Sequence, residues 1–364
     1  MKLDQEAAPT RLESLQVPIV QAPLSGGAST PQLTIAASQA GAFGFLAAGY
    51  LTTETLRENI RQVRSSTDAP FGVNLFVPGE DSADTEALGF YRDRVRAEAA
   101  RLGAEPGDPR WSDDEWQPKL ELLLAERPAV VSFTFGCPAR ELINELHDAG
   151  IEVWLTVTEP DEAELAAEIG ANALVVQGVE AGGHRASFVD RDGVGELGLL
   201  ALIRLVTKRV KLPLVAAGGI SDGYAIAAVL VAGARAAQIG SGFLDTPEAN
   251  TSQPHRDRLR ARGRTALTRA FSGKRARGIV NGFMARNSAE APAAYPQVHY
   301  MTTPMRVAAR AVGDPDLINL WAGETYELID HGVPAQQVIA RMAAELEDAI
   351  GAIARRPHSG RTER

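Results

Sequence analysis

The stretch that decides the fold runs Ala173-Leu-Val-Val-Gln177-Gly-Val-Glu180-Ala-Gly182-Gly183-His184-Arg185. A short apolar run ends in an amide, and a glycine pair with an imidazole follows at once. Such a run, bounded by turn residues, reads as a buried strand of a parallel sheet. Outward from it the same unit recurs along the chain, each run followed by an Ala-rich amphipathic segment. Strands are expected at Pro18–Leu24, Gly44–Ala48, Gly72–Val77, Val130–Gly136, Glu152–Val157, Ala173–Gln177, Leu214–Ala217 and Ala237–Gly240. Eight such units predict an α/β fold closed as a (β/α)8 TIM barrel. Thr30-Pro31 suits a helix N-cap and first position, while Gly41, Gly150, Gly170 and Gly233 sit where helices stop. The phrases Gln39–Ala42, Asp148–Ile151, Glu168–Ala171 and Val231–Ala234 repeat one helix-to-strand turn.

Composition narrows the partners. A chain of 364 residues that is 45% hydrophobic can bury a large core. With 37 basic against 46 acidic residues, spread without blocks, the net charge is -9, so no basic face is available for nucleic acid. The most apolar windows, such as Ala225 to Ala234, fall short of the roughly 20 residues that cross a bilayer. The single Cys137 allows no internal disulfide, and no signal segment is evident at the N-terminus, so a cytoplasmic protein is expected. The oligomeric state is left open.

Two places break the βα rhythm. Residues 79 to 128 are too long for a connection and read as an insertion after strand three, and the Arg/Ser/Asn-rich part from Thr251 to Asn287 reads as a cap over the barrel mouth. The expected organisation is a barrel over residues 1–247, a substrate-side cap over 248–330 and a C-terminal helix over 331–356 that packs on the barrel. Residues 356–364 are polar and expected to fray. The rival doubly wound sheet lacks a Gly-x-Gly-x-x-Gly after the first strand.

Barrel enzymes build their sites from loops at the carboxyl ends of the strands. Here Gly218-Gly219 and Gln238-Ile239-Gly240-Ser241, after strands seven and eight, can bring backbone N–H groups to a phosphate, though either could be an ordinary turn. Asn74 and Gln177 end inward-facing strands with donor and acceptor together, which suits a flavin ring or a bond to their own loops. His184, behind its glycine pair, is the residue for proton transfer. Glu180 is either an orienting carboxylate or a solvated charge, and Cys137 reads as a silent thiol. No metal site is expected.

The motifs Gln21-Ala-Pro-Leu24, Ser132-Phe-Thr-Phe-Gly136, Gln177–Arg185, Ala216-Ala-Gly-Gly-Ile-Ser-Asp-Gly223 and Gln238-Ile-Gly-Ser241 together resemble the nitronate monooxygenases, over about residues 15 to 330. The resemblance implies an FMN enzyme that oxidises alkyl nitronates, such as propionate 3-nitronate, with O2 to a carbonyl compound and nitrite, without NAD(P)H. It implies FMN contacts at Ala22, Pro23, Leu24, Asn74, Gln177, Gly182, Gly218, Gly219, Gln238, Ile239, Gly240 and Ser241, and a base at His184. Tyr295, His299 and Tyr300 fall near the substrate tyrosines of that family, and Trp321-Ala-Gly-Glu324 reads as a packing turn. A flavin-dependent enoyl-acyl-carrier-protein reductase shares the Glu-Ala-Gly-Gly-His phrase and would use NAD(P)H. Ser132–Gly136 favours the monooxygenase. A non-catalytic FMN-binding barrel is the third reading.

Overall fold

A computed structural model describes residues 10–81 and 83–355. The 356–364 tail expected to fray lies outside the described residues. The strands are β1 (Ile19–Gln21), β2 (Gly44–Ala47), β3 (Phe71–Phe76), β4 (Val130–Thr134), β5 (Glu152–Val157), β6 (Ala173–Gln177), β7 (Gly183–His184), β8 (Leu214–Ala217), β9 (Ala236–Ile239), β10 (Thr265–Thr268) and β11 (Ala276–Ile279). Helices are α1 (Pro31–Gln39), α2 (Thr53–Ser66), α3 (Thr85–Ala99), α4 (Trp116–Glu126), α5 (Arg140–Asp148), α6 (Pro160–Ile169), α7 (Leu199–Arg209), α8 (Gly223–Ala232), α9 (Gln253–Leu259), α10 (Gly282–Asn287), α11 (Gln297–Val312) and α12 (Ala335–Ala354).

Eight parallel strands form one sheet in the order β1-β9-β8-β6-β5-β4-β3-β2. Its two ends meet where Phe43 N donates to Ile19 O at 2.9 Å and Gln21 N to Phe43 O at 2.8 Å, closing the barrel. The strands lie where the alternation of short apolar runs and helices puts them. The first and fourth end early, at Gln21 and Thr134, because the residues beyond leave the ladder to build the mouth. Thr30 accepts from Leu33 N with Pro31 in the first turn, as its position predicts.

Period-two alternation sorts each strand into two faces. Near the amino ends the inward residues Val20, Phe45, Val130, Trp154, Val175 and Val215 pack with Leu12 into one apolar plug. Phe43, Phe45 and Trp154 lie within 5.3 to 5.6 Å of one another, and Gly72 leaves room for Phe45, whose ring would stand 2.2 Å from an added Cβ. Further along, the same inward rows become Asn74, Thr134, Thr156, Gln177 and Gln238. The barrel is therefore sealed below and polar above.

α4 packs into the outer helix layer through Leu120, Leu122 and Leu123, and α12 packs against α8 and α1. α3 turns elsewhere. Its Leu88, Tyr91, Val95 and Ala99 join Phe271, Phe283, Met301 and Met305 in a second core beside the mouth. A three-stranded sheet, β10-β11-β7, was not legible in the sequence: β7 has two residues and β11, Ala-Arg-Gly-Ile, shows no alternation.

Candidate active site

The site begins with how the 177–185 loop is held. Arg185, 1% exposed, donates to the carbonyls of Gln177, Gly178 and Gly195 at 2.8, 2.7 and 3.0 Å. One guanidinium thus ties three carbonyls together, of which Gly178 O also accepts from Ala181 N at 3.1 Å. Gly182 lies under residues 321–324, where an added Cβ would stand 2.5 Å from Ala322 C and Gly323 N. Glu180 neither orients His184 nor stands free in solvent: its carboxylate accepts from Leu199 N at 3.0 and 3.1 Å, capping α7 where unpaired N–H groups and the helix dipole favour an anion.

His184 pairs with Ala276 across the β7–β11 ladder, which turns its ring toward Ser272, with 2.9 Å between Nε2 and Oγ. Protein encloses the ring except where it meets the cavity. Burial, then the positive charges of Lys274 and Arg306, lower its pKa to about 3 against the opposing pull of Asp190. The imidazole is neutral at neutral pH, so one of its ring nitrogens carries a free lone pair. Lys274, 6% exposed, lies 4.5 Å over the Phe135 ring and donates to Ser187 O at 3.3 Å. Burial lowers its own pKa to about 8. An anion formed beside His184 would meet two buried cations in surroundings that screen little.

Residues assigned in sequence to the site, Ile239 excepted, line one cavity of about 510 Å3. The Ile239 side chain is fully buried in the barrel core, and its carbonyl accepts from Ala22 N at 2.9 Å. It flanks the mouth in sequence but points outward, as strand alternation requires. The two amides differ. Gln177 is spent on its own loop, donating to His184 O at 3.1 Å and accepting from Ala186 N at 2.9 Å. Asn74 directs Nδ2 to Ser132 and Thr134, leaving Oδ1 without a protein donor among the described residues.

On the other side, Gly218 and Gly219 have φ of 117° and 64°, a backbone that L side chains rarely adopt, so their N–H groups can face an anion. Ser241 Oγ accepts from Gly323 N at 2.8 Å and keeps its hydrogen to donate. Trp321 is more than the packing turn its sequence implies: it walls the cavity with its ring 5.7 Å from that of His184.

Tyr295 stands 5.6 Å from His184 ring to ring and donates to Tyr50 at 2.9 Å, while His299 stacks on Tyr50 at 3.9 Å. Tyr300 lies beneath Arg110. None of the three lines the main cavity. Sequence reading assigned nothing to Ser272, Lys274 and Tyr50, and used Phe135, which Phe76 joins in space to Tyr50, only as part of the Ser132–Gly136 motif. Tyr50 and Phe135 have φ of 68° and 81°, an arrangement no residue type there announces. Phe271-Ser-Gly-Lys274, a turn with Gly273 at φ 80°, was the available signal. Burial, and then the charge of Glu162, push the Cys137 thiol up to about 12, which keeps it protonated.

Closed barrel, glycine cradle after the last two strands and buried neutral imidazole at the mouth define an enzyme that works on small molecules at the carboxyl face of a TIM barrel. The nitronate monooxygenase family model matches residues 9–345, and the chain belongs to that flavin-dependent family. It is 41% identical to the nitronate monooxygenase of Pseudomonas aeruginosa, over 93% of this chain and 98% of that one. It is 36% identical to that of Paraburkholderia phytofirmans, over 93% and 94%. The crystal structure of nitroalkane oxidase from Streptomyces ansochromogenes superposes with a TM-score of 0.91 at 43% identity, covering 94% of this chain and 99% of the other. FabK from Thermotoga maritima gives 0.72 at 25% identity, covering 96% and 99%. The chain is an enzyme of the nitronate-oxidising type, and among the described residues no helix is long and apolar enough to cross a membrane.

Proposed function

We propose that the protein is a cytoplasmic FMN enzyme that oxidises alkyl nitronates, propionate 3-nitronate among them, with O2 to a carbonyl compound and nitrite, without NAD(P)H. The observation that carries the reading is the convergence on one cavity of a neutral buried imidazole and two glycine-bearing loops. The residues fit the flavin. Gly218, Gly219, Gly240 and Ser241 would hold the phosphate. Asn74 Oδ1 would accept from the ring edge, and Gln238, whose amide has no protein partner among the described residues, could donate or accept there. Ala22, Pro23, Leu24 and Gly182 would border the ring, and Gln177 would act by fixing the His184 loop. FMN supplies the electron acceptor.

The chain's own part is protonic and electrostatic. His184 would take the α-proton of a neutral nitroalkane, and Lys274 and Arg306 would favour the resulting anion. The working division is a barrel over 1–247 with a substrate-side cap over 248–330. The test is oxygen uptake by purified yellow protein given propionate 3-nitronate or an alkyl nitronate and no pyridine nucleotide. Absence of nitronate-stimulated uptake, with rapid NADPH-dependent flavin reduction, would favour the reductase instead.

A further inference from the structure

The cavity that holds His184 is also lined by Ser25, Thr251, His255, Arg310 and Asn319, polar groups that neither flavin binding nor proton transfer uses. Arg306 and Arg310 stand one turn apart on α11, and both donate to Asn319 Oδ1, at 3.3 and 2.8 Å. Arg306 spends its other donors on Thr302, Thr303 and the His299 carbonyl. Arg310, on the cavity wall, has only Asn319 among the described residues. Neither guanidinium has a carboxylate partner there, whereas Arg256, Arg275 and Arg277 each do.

Three polar atoms on the same cavity also lack a partner: Ser25 Oγ, Thr251 Oγ1 and His255 Nε2. Thr251 and His255 are each 9% exposed. Asn250 N donates to Ala28 O at 3.2 Å, tying the segment that carries them to the loop after β1. A half-buried cation without a counter-ion, sharing a cavity with buried polar atoms that lack partners, is costly unless an anion from outside completes it.

We propose that Arg310, with Thr251 and His255, forms a second anion subsite that takes a carboxylate at the end of the substrate remote from its reacting carbon. The inference rests on the nitronate reading, in which the other negative end lies at His184. Arg310 is then a specificity-determining residue: it selects short nitronates that carry a distal carboxylate over plain alkyl nitronates.

Succinate tests the subsite without turnover, because its two carboxylates stand where propionate 3-nitronate has a carboxylate and a nitronate. Holoenzyme should bind succinate at least about ten times more tightly than butyrate, read from the visible spectrum of the flavin. Arg310→Gln should reduce that preference about 10- to 100-fold, and with it the kcat/KM ratio of propionate 3-nitronate over propyl-1-nitronate. Arg310→Lys should keep part of both. Thr251→Val, expected to reduce the preference a few-fold, serves if the arginine variants do not fold.

Equal binding of succinate and butyrate by the unaltered protein, or an unchanged preference in Arg310→Gln, overturns the subsite even while nitronates are oxidised. If no nitronate is oxidised but an Arg310-dependent preference for succinate persists, the subsite stands and the reaction reading falls. Displacement of succinate by NADPH, with NADPH affinity lost in Arg310→Gln, would assign the lobe to a pyrophosphate and overturn the proposal.

Discussion

Ser272 Oγ lies 2.9 Å from His184 Nε2 and 3.1 Å from the carbonyl of Lys274. A hydroxyl has one hydrogen and a carbonyl can only accept, so the hydrogen of Ser272 goes to Lys274 O. His184 must then donate Nε2–H to Ser272, which leaves the lone pair on Nδ1. If His184 is the base, as proposed, this partner sets which ring nitrogen receives the proton.

Removing this partner should therefore separate substrates. Ser272→Ala is expected to lower kcat/KM for neutral nitroalkanes about tenfold or more, and His184→Asn about 100-fold or more, with smaller losses on preformed nitronates, which need no deprotonation. Oxygen uptake with both substrate forms checks this. Equal losses on the two would make the imidazole a holder of the anion rather than a base.

Acid should unfold the protein through its buried imidazoles. Burial lowers His184 to about 3 and His255 to about 4, whereas the unfolded chain titrates both near 6.5. Below that value the unfolded chain binds protons that the folded rings refuse, so stability falls with pH. Each ring should contribute about 2 kcal/mol of loss between pH 7 and pH 5. Urea midpoints measured across that window provide the check, and a flat midpoint would contradict it.

Gly182→Ala should damage the site without touching its chemistry. The added methyl would meet the backbone of Ala322 and Gly323 at 2.5 Å, and backbone yields less readily than a side chain. A loss of about 1–3 kcal/mol is expected, together with a lower flavin content, read from thermal unfolding and from the ratio of visible to ultraviolet absorbance.

Arg185→Met keeps much of the bulk but removes the guanidinium donors to the carbonyls of Gln177, Gly178 and Gly195. Gly178 O would keep its bond from Ala181 N, and each buried carbonyl that is left unpaired costs about 1–3 kcal/mol. The variant should lose thermal stability, and what folds should turn over slowly because the His184 loop is slack. Normal stability with normal turnover would show that the clamp is dispensable.

How much was legible follows from how each feature is encoded. The eight strands and the polar strand ends could be read because a barrel ties function to position: Asn74 interrupts an apolar run near its carboxyl end, Gln177 closes one, and Gly218-Gly219 follows the next. Ile239 stands apart within its motif, because strand alternation sends its side chain outward into the core. Ser272 lies 88 residues from His184 in a segment without period, so nothing local connects them. The Arg310 lobe escaped for a related reason: its polar groups come from the loop after β1, α9 and α11, which only the fold brings together.

α3 lies in the long connection between β3 and β4, and the eight strands close without it. Yet Tyr91, on that helix, donates to Ala270 O at 2.7 Å, two residues before the serine that orients the imidazole. The His184 imidazole therefore leans on a buttress from outside the ring of strands. A minimal barrel cut back to its eight repeats would keep its strands and glycine loops but lose the brace behind its imidazole, and grafting this site onto another barrel would mean carrying α3 along with it.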